Sequence, residues 1–194
     1  MKTIQHAISQ MQSDKRLLIG IDGLSRSGKT TLVGYLKRNL VLNRDIVILH
    51  IDDFIVESNK RYNTDYEQWY EYYELQWEVD KLREQLFEKV LTKNTYVLSL
   101  PFYDTIDDKR TFKEIDLKEN SIVFLEGIFL QRKEWRQFFD YIVYLDCSRE
   151  ERFRREGKTI KANLSKFEDR YWKAEDYYLD IINPKVQADI VING

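Results

Sequence analysis

Gly20-Ile21-Asp22-Gly23-Leu24-Ser25-Arg26-Ser27-Gly28-Lys29-Thr30-Thr31-Leu32 decides the reading of this chain. Gly23 to Thr30 fits G-x-x-x-x-G-K-[ST], the spacing of a phosphate-binding loop. A loop bracketed by glycines can wrap its backbone N–H groups around phosphate oxygens, where a Cβ at Gly23 or Gly28 would obstruct the approach. Lys29 then reaches the outer phosphates, Thr30 offers a hydroxyl to Mg²⁺, and the positive end of the following helix faces the anion. The backbone and side chains of Leu24, Ser25, Arg26, Ser27 and Thr31 complete the cradle. The flanks suit this reading, because Leu17-Leu18-Ile19-Gly20-Ile21 reads as a buried strand and Thr31-Leu32-Val33-Gly34-Tyr35-Leu36 continues as a helix. A glycine turn opening an ordinary helix is the plainer alternative. The strand–loop–helix setting favours a bound nucleotide.

The rest of the chain extends that unit into an α/β fold. Ile46 to Ile51, Ser121 to Leu125, Tyr141 to Leu145 and Asp189 to Ile192 are further apolar runs with helical stretches between them. Together with the first they predict a central five-stranded parallel sheet with helices on both faces. Ligands bind such sheets at the carboxyl ends of the strands, so the polar residues directly after those ends are the candidates. Two short segments, Thr95 to Leu100 and Lys109 to Lys113, are expected to form a hairpin around Pro101 to Asp104, an insertion spanning about 95–113. With 194 residues, two prolines, seven glycines and neither repeats nor low-complexity tracts, one domain over 1–194 is expected.

Composition narrows the class. A net charge of −2 gives no general pull toward nucleic acid or anionic membrane. No apolar run approaches the ~20 residues of a membrane span, and the first residues do not begin a signal peptide. Cys147 is the only cysteine, so no internal disulfide forms and a reducing, cytoplasmic setting is expected. A homo-oligomer is compatible with all of this.

Three groups of residues follow predicted strand ends. Asp52 and Asp53 end the second, where a carboxylate can orient an attacking hydroxyl or hold Mg²⁺ through water; capping a turn is the other use of such a pair. Glu126 follows four apolar residues, and a carboxylate there needs a cation or hydrogen-bond donors. After Asp146, Arg149, Arg152 and Arg155 fall broadly on one helical face, suited to closing over phosphates or to pairing with the interleaved Glu150, Glu151 and Glu156. Farther back, Tyr66, Trp69, Tyr70, Tyr73 and Trp77 follow a helical stripe. It reads as core packing, with an aromatic wall for a flat ligand as the alternative, while Glu67, Glu71, Glu74 and Glu78 read as a solvated face.

Taken in order, Gly20 to Leu32, Asp52-Asp53-Phe54, Pro101-Phe102-Tyr103-Asp104, Phe124-Leu125-Glu126-Gly127-Ile128, Asp146 to Arg155 and Ala188 to Ile192 resemble the successive motifs of uridine kinase-like proteins. These are P-loop kinases related to phosphoribulokinase, pantothenate kinase and nicotinamide riboside kinase. The resemblance implies the P-loop NTPase fold and transfer of the γ-phosphoryl of ATP, with Mg²⁺, to a hydroxyl of a nucleoside or similar small metabolite. It makes Asp52 the carboxylate that orients or deprotonates that hydroxyl, and Lys29 a phosphate-neutralising catalytic cation. Arg152 and Arg155 become arginines of a short lid at about 149–161, and Tyr103 a neighbour of the acceptor. Thr30 and Glu126 are the metal-site candidates. Ile55 stands where uridine kinases usually carry an aromatic residue, and Thr105 to Lys109 lacks the histidine that follows their tyrosine, so an altered nucleoside preference is expected. A kinase for a different alcohol, pantothenate- or nicotinamide riboside-like, and a nucleotide-dependent regulatory module are the competing readings.

Overall fold

A computed structural model gives the structure and describes residues 2–11, 14–40, 43–94, 96–157, 161 and 163–194. Its sheet contains β1 (Leu17–Gly23), β2 (Ile46–His50), β5 (Ile122–Gly127), β6 (Tyr141–Asp146) and β7 (Ile190–Asn193). The strands lie parallel in the order β2-β5-β1-β6-β7. In β1, β5 and β6 the apolar runs are continuous because both faces are covered, whereas the edge strand β7 alternates half-buried and exposed residues. Alternate side chains divide between two cores. Leu17, Ile19, Ile21, Ile122 and Phe124 pack with Ile4 and Ile8 of helix α1 (Lys2–Gln10) and with Leu32, Val33 and Leu36 of helix α2 (Lys29–Asn39). Leu18, Val123, Leu125, Ile142 and Tyr144 face the opposite way, onto an aromatic-rich layer that includes Trp77, Phe87, Phe129 and Trp135.

The inserted hairpin is present but longer than the sequence suggests. β3 (Val97–Asp104) pairs antiparallel with β4 (Lys109–Asp116), so Pro101 to Asp104 belongs to a strand and the reversal falls at Thr105 to Asp108. A proline is tolerated there because this two-stranded sheet has only edge strands, each with one side free of a ladder. Thr95, placed by the sequence in the hairpin, and positions 158–160 of the expected lid lie outside the described residues.

The aromatic stripe also resolves differently. Helix covers only Gln68–Tyr73, and the chain turns before Val79–Leu82 resumes it. Tyr73 and Trp77 are core residues, whereas Tyr66 stacks on Tyr70 near the surface. Glu71 is not solvated. It is buried, accepts from the Thr64 amide and hydroxyl, and pairs with buried Arg170 at 2.7 Å.

Candidate active site

β1 lies between β5 and β6, and the loop leaving its carboxyl end opens directly into α2. Gly23 has φ +152°, and a Cβ there would stand 2.8 Å from both the Leu145 carbonyl oxygen and Ser27 Oγ. Gly28, at φ +104°, takes the left-handed conformation that turns the chain into the helix, and no side chain caps that end. The unsatisfied N–H groups of the first helical turn are thus left for an anion. Lys29 folds back so that Nζ donates to the Leu24 carbonyl at 3.0 Å. Burial pulls its ammonium pKa down, against the fields of Glu126, Asp22, Asp52 and Glu175. Its bond to Leu24 thus fixes the ammonium at the loop, among four carboxylates.

Two further strand ends converge on this loop. β2 runs into a single 3₁₀ turn, Ile51–Phe54, whose first turn carries Asp52 and Asp53. Asp52 is exposed to an open cleft but sits at its floor among protein groups. That partial desolvation raises its pKa; Lys29 opposes the rise, and Glu126 and Asp53 reinforce it. On β5, Glu126 is level with His50 of β2 in the parallel register. One oxygen, Glu126 Oε1, takes the Thr30 hydroxyl at 2.9 Å and contacts His50 Nδ1 at 2.5 Å. Burial alone would raise the Glu126 pKa, but the bonds from His50 and Thr30, with Lys29 nearby, outweigh it and hold the carboxyl below its usual range. The donor requirement seen in the sequence is thus met, with His50 as a partner that sequence spacing did not reveal.

Gly127 makes the convergence sterically possible. A Cβ there would lie 2.0 Å from Ile51 Cγ2, inside the turn that presents Asp52. Gly127→Ala is therefore expected to push that turn from β5, cost roughly 1–3 kcal/mol of stability and lower any activity that depends on Asp52. Chemical denaturation and turnover of the variant check this; unchanged values in both would show that the turn yields freely.

The cleft has a volume of about 1050 Å³ and gathers most of the predicted residues. Ser25, Arg26, Gly28, Lys29, Thr30 and Thr31 line it on the loop side, with Asp52, Tyr103 and Glu126 farther along. Gly23, Leu24 and Ser27 are buried beneath and shape the loop instead. Arg152 and Arg155 both reach the cleft, on different terms. Arg152, in the helix Arg149–Arg154, is buried and grips Glu175 through two bonds of 2.7 and 2.9 Å, while Nη1 also donates to the Ser25 carbonyl. Arg155 is more open and donates to the Arg26 carbonyl at 3.0 Å. Arg149 instead pairs with Asp176 and lies over the Trp172 ring. Tyr103 donates to Asp108 at 2.8 Å and takes a 3.3 Å bond from Arg61, whose guanidinium also lies over the Tyr62 and Tyr103 rings.

Several contributors escaped the sequence. Glu175 comes from the helix Lys173–Ile182, far from its partner in the chain, and nothing in its local pattern marks it. Tyr72 lies off the aromatic stripe yet faces the cleft, as does Gln76. Asp22, at the end of β1, is fully buried and accepts from Tyr178 at 2.5 Å and Gln131 at 2.9 Å, tying the base of the loop to the last long helix. Burial pushes its carboxyl pKa up in spite of those bonds.

Comparison with known proteins agrees with this geometry. The profile of the "AAA domain" family matches residues 19–173. Uridine kinase of Borrelia duttonii (strain Ly) is 30% identical over 190 residues, an alignment covering 90% of this chain and 85% of that protein. A structure described as a possible uridine kinase from Bacillus stearothermophilus is 44% identical and superposes with a TM-score of 0.86 over 98% of this chain and 96% of the other. D-glycerate 3-kinase from Cryptococcus neoformans shares the fold alone, at 13% identity and a TM-score of 0.59, with 98% and 92% covered. A five-stranded parallel sheet, a glycine-bracketed loop capping its central strand and relatives along nearly the whole chain lead to one assignment: the chain belongs to the uridine kinase-like family of P-loop kinases.

Proposed function

We propose that the protein transfers the γ-phosphoryl of ATP to a hydroxyl of a nucleoside or similar small metabolite. The observation that carries this reading is the placement of Asp52 in the same cleft as Lys29 and the phosphate loop. A nucleotide sensor needs the loop; a carboxylate facing it across an open cleft is what a hydroxyl acceptor needs.

In this reading the loop amides and Lys29 hold the phosphates, and Asp52 accepts a hydrogen bond from the acceptor hydroxyl, aligning it and taking its proton as the new bond forms. Such catalysis is mostly positioning and electrostatics. Arg152 is fixed in orientation by Glu175, while the more open Arg155 belongs to the segment at 149–161 that closes over the phosphates and excludes water. Tyr103 sits beside the acceptor, its hydroxyl oriented by Asp108 and Arg61.

The residues fit Mg²⁺. Thr30 and Glu126 are already joined at the helix end, and among the described residues no group of three or more His, Cys, Asp or Glu side chains forms a metal site. A cation that keeps several waters and draws other ligands from phosphate oxygens suits that sparse set. When bound, it neutralises phosphate charge during transfer.

Calorimetry tests the donor half of the proposal. Lys29→Ala is expected to weaken Mg-ATP binding by about ten-fold or more through loss of a charge-assisted contact, and Thr30→Ala to weaken it chiefly when Mg²⁺ is present. Wild-type affinity in both variants would remove the nucleotide from this loop.

A further inference from the structure

Two neighbours of opposite charge, Arg155 and Glu156, follow the helix Arg149–Arg154, and both hold one residue of the phosphate loop. Arg155 donates to the Arg26 carbonyl at 3.0 Å, and Glu156 Oε1 pairs with Arg26 Nε at 3.1 Å. Between these contacts Arg26 keeps φ at +62°, the left-handed region that a side chain disfavours. Arg26, Arg155 and Glu156 all line the cleft, together with Lys29 and Thr30. An acid thus lies over the loop that, in the reading above, holds phosphate.

The contact serves that acid poorly. The Glu156 side chain is only 10% exposed, and its Oε2 is buried without a hydrogen-bond partner. A carboxylate oxygen shut away from both water and donors is costly, and one pairing with a half-exposed arginine offsets little of that cost. An amide or apolar side chain would rest against the loop with less penalty. What the carboxylate adds is charge. It repels any phosphate brought into the same cleft, strongly so where protein walls displace water. Glu126 and Glu175, also in the cleft, differ in their partners. Glu126 is bonded to Thr30 and His50, and Glu175 to Arg152, whereas the cation held by Glu156 belongs to the loop itself.

We propose that Glu156 sets which anions the phosphate loop admits, by competing with phosphate for Arg26. A phosphate chain that reaches Arg26 displaces the carboxylate into water, where both of its oxygens are hydrated. The adjacent Arg155 is drawn the opposite way, from the Arg26 carbonyl onto the phosphates. A nucleoside triphosphate, held also by Lys29 and Mg²⁺, overcomes the competition; a small inorganic anion does not. The inference rests on the reading that the loop holds phosphates, adds a residue that excludes other anions, and does not depend on the identity of the acceptor.

Calorimetry on the whole chain tests it, with pyrophosphate and a non-hydrolysable ATP analogue plus Mg²⁺ as the probes. Glu156→Gln keeps the shape of the side chain and removes its charge. This variant is expected to bind both probes about five-fold or more tighter than wild type, with the gain shrinking in high salt. The competition runs through Arg26, so in an Arg26→Met background the same change should tighten the analogue by about two-fold or less. Equal or weaker binding by Glu156→Gln, or a gain that survives in full on Arg26→Met, would overturn the inference. Its failure is separable from that of the kinase reading. Tighter anion binding by Glu156→Gln with no phosphoryl transfer to any alcohol would end the kinase reading alone. Transfer by a protein whose anion affinities ignore Glu156→Gln would end this inference alone.

Discussion

Asp52→Asn is expected to lower turnover by about 10²–10⁴ while leaving Mg-ATP affinity close to wild type. The lower end applies if the transition state is loose and demands little proton removal from the acceptor. The separation of effects follows from geometry, because Asp52 stands on the turn after β2 while the phosphate cradle is built from β1 and α2. pH adds an independent signature. Desolvation, with Glu126 and Asp53 nearby, raises the Asp52 pKa against the pull of Lys29. Only the ionised form can accept a proton, so activity should fall on the acid side at a pH above the ordinary carboxylate range. Asp52→Asn should flatten that limb. If Asp53→Asn removes activity and Asp52→Asn spares it, the wrong carboxylate has been assigned.

The second large effect is on Arg152. Its guanidinium and the Glu175 carboxylate are 6% and 1% exposed, joined by two hydrogen bonds. Removing one member of such a pair leaves the other charge buried and costs about 3–5 kcal/mol. Arg152→Met should therefore lower the melting temperature by on the order of 10 °C. Burial already pushes the Glu175 carboxyl up against the pull of Arg152, so part of that loss can be relieved by its protonation. The double variant Arg152→Met/Glu175→Met should recover most of the stability, because well-packed apolar replacements of a buried ion pair are often neutral or better. Turnover should stay low in the double variant, since the proposed function gives Arg152 the role of a cation on the phosphates. Recovery of both stability and turnover would reduce Arg152 to a structural role.

What the sequence makes legible here is local and periodic. β1 and β5 read correctly because both faces of the sheet are covered, which turns each strand into an unbroken apolar run. The phosphate loop reads from glycine spacing alone, since φ values of +152° and +104° leave few residue choices. The hairpin's limits are obscured by Pro101, which looks like a turn but occupies a strand with a free edge. Glu71 and Glu175 are misread or missed for a different reason. A carboxylate's helical position says nothing about an arginine many residues away, and only the fold brings Arg170 and Arg152 to them. His50 is intermediate: once β2 and β5 are known to be neighbours, their register places it beside Glu126.

The central claim is phosphoryl transfer from ATP to a hydroxyl held in this cleft. Phosphorus NMR follows it directly, with wild type and Lys29→Ala incubated with ATP and Mg²⁺ in the presence of uridine, cytidine, nicotinamide riboside or pantothenate. The account predicts a phosphomonoester signal growing in step with ADP for at least one acceptor with wild type, and none with Lys29→Ala. ATP that stays intact with every acceptor, or is hydrolysed to inorganic phosphate at the same rate with and without them, would contradict it.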